Sequence, residues 1–152
     1  MGASLVLPSA VTEQWREQRT QIFPAEAIAL PIALAWFCSL IQGRDVIAFC
    51  DNASAVSALI RMSSKSEDVQ TIAELFTVLC LKAECRCWVD WVDSESNPAD
   101  GLSRAGVHDR WTLAQGWELA EPKALPALTG EPFSDFFFLS TSTLGFCLNT
   151  LL

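Results

Sequence analysis

Three carboxylates stand where secondary-structure elements begin or end: Glu26 after Phe23-Pro24-Ala25, Asp51 after Val46-Ile47-Ala48-Phe49-Cys50, and Asp100 after Asn97-Pro98-Ala99. Asp51 closes a strand at its carboxyl end, where ligands collect in open α/β sheets. Glu26 and Asp100 fall in first turns of helices, where negative charge is favoured. Brought into one crevice, three carboxylates repel one another until a divalent cation neutralises them, and hard oxygen donors of this kind suit Mg2+ or Mn2+. Taken singly, each also reads as a helix cap or a first-turn charge, so the chemistry rests on the three together.

The elements that must position them follow from apolar spacing. Ala3 to Leu7, ended by Pro8, is expected to be a strand, and residues 11–22 show no clear pattern. From Pro24 the pattern turns helical, with Ile28, Ile32, Trp36 and Leu40 recurring every fourth residue until Gly43 stops it. Pro31 must kink this helix or sit near its start. Val46 to Cys50 reads as a buried strand, which Asp51-Asn52 lead into a small-residue helix, Ala53 to Arg61. After a polar loop at Ser63 to Ser66, the residues Val69, Ile72, Ala73, Phe76, Leu79 and Cys80 mark an amphipathic helix ending near Lys82. Cys85 to Val92 alternates as a half-exposed strand, Asn97 caps a late helix with Pro98 at its first position, and a short helix holds Trp111 and Trp117. Beyond Pro122 no periodic pattern stands out. Strands alternating with helices indicate the α/β class with parallel crossovers.

The stretches Phe23-Pro24-Ala25-Glu26-Ala27, Phe49-Cys50-Asp51-Asn52-Ala53-Ser54-Ala55 and Ser96-Asn97-Pro98-Ala99-Asp100-Gly101-Leu102-Ser103-Arg104 occur in that order. Together they resemble the ribonuclease H-like superfamily, and within it the ribonuclease H region of retroelement reverse transcriptases. The last stretch is the most specific, and the resemblance runs from about Ala3 to Arg104. It implies a mixed sheet with flanking helices, N-terminally truncated, over residues 1–104, followed by a helical extension at 105–121 and an apolar tail at 122–152. It also implies two-metal hydrolysis of the RNA strand of an RNA:DNA hybrid, with Mg2+ or Mn2+ held by Glu26, Asp51 and Asp100 as the second, third and fourth family carboxylates. The first, an Asp on the opening strand, has no match: no Asp precedes Asp45, and Ala3 to Leu7 corresponds to the second family strand. Its loss weakens metal binding, which leaves activity of this chain open; Glu13, Glu17 or an upstream polyprotein segment are the replacements to consider. The family histidine has no obvious counterpart, because the loop offers Ser94, Glu95 and Ser96 and His108 lies too far along. Two alternatives stay open: a non-enzymatic remnant or nucleic-acid-binding scaffold of a decayed retroelement, and, less well matched, an integrase-like nuclease.

Asn52, Arg61, Lys65 and Arg104 are the expected contacts to nucleic acid, with Arg44 a further cation, while Trp88 and Trp91 either stack on bases or pack on the sheet. The net charge of -8 is the wrong sign for gripping phosphate through the overall field, so contact must use a local patch or bound cations. A chain of 152 residues, 51% apolar, suffices for one core. Of the six cysteines, four lie in apolar runs and behave as small hydrophobes. Only Cys85 and Cys87 are closely spaced, and strand alternation is expected to orient them badly for one ion. Reduced thiols in the cytoplasm or nucleus are the expected state. The N-terminus lacks the flank and core of a signal peptide, Val6 spoils a myristoylation motif, and Phe136 to Leu152 falls short of the about 20 apolar residues of a spanning helix, so no membrane role is expected.

Overall fold

A computed structural model describes residues 2–17 and 22–120. The expected tail at 122–152, with Cys147, lies outside the described residues. In chain order the elements are β1 (Gly2–Ala3), α1 (Ser9–Thr12), α2 (Ile22–Trp36), α3 (Cys38–Ile41), β2 (Asp45–Cys50), α4 (Ala53–Arg61), α5 (Glu67–Lys82), β3 (Arg86–Trp91), α6 (Asp100–Ala105), α7 (Arg110–Ala114) and β4 (Leu119–Ala120). Single 3-10 turns at Ser94–Ser96 and Gly106–His108 flank α6. The architecture is α/β with two parallel strand pairs, β2 with β3 and β1 with β4.

β2 and β3 pair in register from Asp45 opposite Arg86 to Cys50 opposite Trp91, and the exposed Asp45 carboxylate grips the Arg86 guanidinium at 2.6 and 2.9 Å across the start of the pair. The β2 run is not buried on both faces as its continuous apolar sequence suggests. Helices cover the side bearing Val46, Ala48, Cys87 and Val89, whereas Ile47, Phe49 and Trp88 on the other side are 66%, 57% and 63% exposed. One edge of β2 is also bare among the described residues. Arg86 N–H bonds Arg44 O at 3.0 Å and Val92 N–H bonds Cys50 O at 3.2 Å, which directs the peptide groups of Val46, Ala48 and Cys50 to β3 and those of Ile47 and Phe49 away from it.

The core forms where α2 packs on α5 and α4, with Ala27, Ile28, Leu34, Leu59, Val69, Ile72, Phe76 and Leu79 buried. On α2 the buried stripe is Pro24, Ala27, Ile28, Pro31, Leu34 and Ala35, not the every-fourth-residue series. Four residues turn a helix through about 400°, so that series drifts around the surface, and Leu40 ends up exposed. Pro31 sits inside the helix in this stripe. The helix ends at Trp36, restarts as α3, and Gly43 takes φ 68° to turn the chain into β2.

Three boundaries depart from expectation. Of the strand expected at Ala3 to Leu7, only Ala3 belongs to a ladder, because residues 2–3 pair with 119–120 while Ser4 Oγ donates to Leu102 O at 3.1 Å. The late helix begins at Asp100, not Pro98: Asn97 Oδ1 accepts from Ala99 N–H at 3.0 Å in a turn that precedes it. Trp117 lies beyond α7, against which it packs through an edge contact with Trp111 at 5.8 Å. The stretch after residue 105 therefore ends as a strand returning to the N-terminus rather than as a helix alone.

Candidate metal centre

Asp51 follows the carboxyl end of β2, with one residue, Asn52, between it and α4. Asn52, not Asp51, caps that helix, its Oδ1 accepting from Ser54 N–H at 3.0 Å and Ala55 N–H at 3.1 Å. The cap role being filled, the Asp51 carboxylate faces the adjoining crevice. Trp91, opposite Cys50 on β3, donates its indole N–H to Asp51 O at 3.1 Å and so braces this turn from the neighbouring strand. Glu26 reaches the same place from the second turn of α2, not the first as expected, because the helix is already formed at Ile22; Asp100 comes from the first residue of α6.

All three carboxylates line one open crevice of about 410 Å3, together with Asn52, Ser94 and Arg104. One oxygen each of Glu26 and Asp51 and the sulfur of Cys50 lie within 4.8 Å of one another. Asp100 stands at the margin of that group, where it receives the Arg104 guanidinium at 3.1 Å, one turn along α6. Burial first, then the charges of Asp51 and Asp100, push the Glu26 carboxyl above its ordinary value. Burial and like-charge repulsion both favour the proton on this group.

The donor set fits one divalent ion. Glu26 and Asp51 supply hard oxygens at a spacing one cation can bridge, and Asp100 can join once Arg104 yields it. Burial above all, opposed by the hydrogen bond to the Asn52 backbone and aided by the charges of Glu26 and Asp51, holds the Cys50 thiol above its ordinary range, and a thiol is a poor partner for Mg2+.

Of the other expected site residues, Asn52 and Arg104 line the crevice, but Arg61 is the last residue of α4, at the end away from Asn52, and Lys65 lies exposed in the following loop, so neither does. Arg44 precedes β2 at the end away from Asp51. Glu13 and Glu17 do not line the crevice, because their segment docks on the start of α5, where Arg16 pairs with Glu67 and its N–H bonds Asp68. Trp88 and Trp91 are both exposed but come from opposite faces of β3. Cys50, which the apolar run marks as a small hydrophobe, joins the cluster; its position directly before Asp51, at the end of a strand, is the sign of it in the sequence. No helix of the described residues is long and apolar enough to cross a membrane. The chain matches no family model, and neither the curated proteins nor the solved structures return a match to it.

Proposed function

We propose that this chain carries a retroelement-derived ribonuclease H-like domain whose crevice takes one Mg2+ or Mn2+ ion beside an RNA:DNA hybrid. The observation that supports the reading is the meeting of Glu26, Asp51 and Asp100, from three elements far apart in the chain, in one open crevice. The three motif stretches that resemble the family are the stretches that build it. Glu26 and Asp51 would hold the ion, with Asp100 able to join, and a bound divalent ion would supply polarisation of a phosphate oxygen. Asn52 orients the loop after β2, Ser94 offers a hydroxyl at the rim, and Arg104 is the cation placed to exchange its carboxylate partner for a phosphate.

A second reading, a binding scaffold without hydrolysis, is favoured by one observation: Asp100 is engaged by Arg104. One experiment separates the readings: the purified chain and its Asp51→Asn variant are incubated with a labelled RNA:DNA hybrid and Mn2+ or Mg2+, scoring both cleavage and retention of the hybrid. Metal-dependent cleavage lost in the variant supports the nuclease. Retention without cleavage supports the scaffold, and absence of both rejects the nucleic-acid reading.

A further inference from the structure

Cys50 puts a sulfur into the carboxylate cluster, and hard-ion chemistry leaves it unused. It is the last residue of β2, 6% exposed, and its Sγ lies within 4.8 Å of one oxygen each of Glu26 and Asp51. The neighbouring strand fixes the backbone that carries it: Val92 N–H bonds Cys50 O at 3.2 Å, and the Trp91 indole N–H bonds Asp51 O at 3.1 Å. Two of the three donors therefore stand on a braced strand end, and only Glu26 arrives from another element. The thiol turns towards the loop after β2, where it donates to Asn52 O at 3.9 Å, a long contact that a bond to a metal would replace.

The other thiols build no such group. Residues two apart in a strand share a face, so Cys85 and Cys87 lie on one side of the chain entering β3, which corrects the expectation that alternation orients them badly. Even so, among the described residues only Glu26, Cys50 and Asp51 bring three metal-ligating atoms within 4.8 Å of one another. A tetrahedral ion with sulfur at about 2.3 Å and oxygen at about 2.0 Å holds those ligand atoms about 3.3 to 3.5 Å apart. The triad must close by no more than about 1.5 Å to reach that spacing, a distance the Glu26 side chain covers by rotation about its own bonds. Cys50 also borders a cavity of about 380 Å3 that shares Glu26, Asp51 and Asp100 with the crevice, which gives an ion a path to the sulfur despite its burial.

We propose, resting on the reading of this crevice as a divalent-ion site, that Glu26, Cys50 and Asp51 form a three-ligand zinc site through which Zn2+ displaces Mg2+ or Mn2+. Mg2+ takes oxygen donors and gains nothing from sulfur, whereas Zn2+ binds thiolate, carboxylate and water together and stands above Mn2+ in affinity. On binding, the Cys50 S–H bond breaks, its proton passes to solvent and a Zn–S bond forms, with no change of oxidation state. The open crevice leaves the fourth position to water. Zinc then occupies the Glu26 and Asp51 oxygens that the hard ion needs, so the two cations exclude each other.

The full chain is loaded with Mn2+ and titrated with Zn2+ under reducing conditions. Electron paramagnetic resonance follows released Mn2+, and zinc-edge X-ray absorption counts the atoms around the bound zinc. One Zn2+ per chain should release the Mn2+, with one sulfur at about 2.3 Å and oxygens at about 2.0 Å around it. Asp51→Asn and Cys50→Ser should each weaken zinc binding by about 10-fold or more, while Cys50→Ser keeps its Mn2+. Zinc bound by oxygen alone would overturn the proposal and leave the hard-ion reading standing, as would zinc that leaves Mn2+ in place. Two or more sulfurs around the zinc, or an affinity unchanged in Asp51→Asn, would assign the ion to other cysteines and overturn it too. Zinc with one sulfur that Asp51→Asn weakens, in a chain that takes up no Mn2+, would uphold the zinc site and reject the hard-ion reading instead. Because X-ray absorption on the wild type counts sulfurs directly, a Cys50→Ser chain that fails to fold leaves the test intact.

Discussion

Replacing Glu26 by Gln should make the metal-free protein more stable and the metal-loaded protein comparatively less so. Two carboxylates with oxygens within 4.8 Å repel by about 1 kcal/mol at the dielectric of water and about 3 kcal/mol at an effective value near 20. The crevice is open, so the lower figure applies, and Glu26→Gln is expected to raise Tm of the metal-free chain by about 4 °C. The sign with pH follows from the raised Glu26 pKa, caused by burial and then by Asp51 and Asp100. Between the ordinary glutamate value and the raised one, the native state binds a proton that the unfolded state has released, so stability falls as pH rises through this window. The advantage of Glu26→Gln should therefore be present at neutral pH and close as pH falls below about 4. With Mn2+ at about 100 times its dissociation constant, the wild type should gain about 2.7 kcal/mol and overtake the variant. Differential scanning fluorimetry of both proteins, with chelator and with a Mn2+ series at two pH values, reads the crossover. A wild type that Mn2+ leaves unmoved, together with a variant of unchanged Tm in chelator, would refute the claim that these carboxylates form one site.

Three further perturbations test the frame around the crevice. A Cβ on Gly101 would stand 2.6 Å from Asp109 Cγ, and that carboxylate is pinned by Thr112 N–H at 2.8 Å and Thr112 Oγ1 at 2.7 Å; Gly101→Ala should cost about 1–3 kcal/mol in urea unfolding. Glu84 holds a left-handed backbone at φ 50°, so Glu84→Gly should stabilise by up to about 1 kcal/mol, with no change in the slope of the denaturation curve. The bare face of Ile47, Phe49 and Trp88 beside the open edge of β2 should drive concentration-dependent association, and Ile47→Thr with Phe49→Thr should shift size-exclusion elution towards the monomer; unchanged elution would show the face is not the contact.

Much of the site's local scaffolding was legible in the order of residue types. The apolar run up to Cys50 followed by Asp51-Asn52 and small residues specifies a strand entering a capped helix, because Asn accepts from the orphan N–H groups and Ala favours helix. The stripe of Val69, Ile72, Ala73, Phe76 and Leu79 likewise specifies α5 and its buried side. These are local effects that depend on neighbours within about four residues.

What surrounds the site was decided by contacts distant in sequence. Whether β2 is covered on one face or two depends on where helices pack, which no run of apolar letters records. The brief pairing of Gly2–Ala3 with Leu119–Ala120 joins the edge of an apolar run to a segment with no strand signal of its own. That Glu26 meets Asp51 and Cys50, with Asp100 lining the same crevice, depends on distances of a few ångströms between separate elements, whereas the pairing of Asp100 with Arg104 is one turn along α6. Hydrogen-bond capping and apolar periodicity act locally, so residue order sets the longer helices, the β2 and β3 strands and the acids at their ends; which acids share a crevice is settled by packing, because electrostatic repulsion and cation binding depend on separation in space.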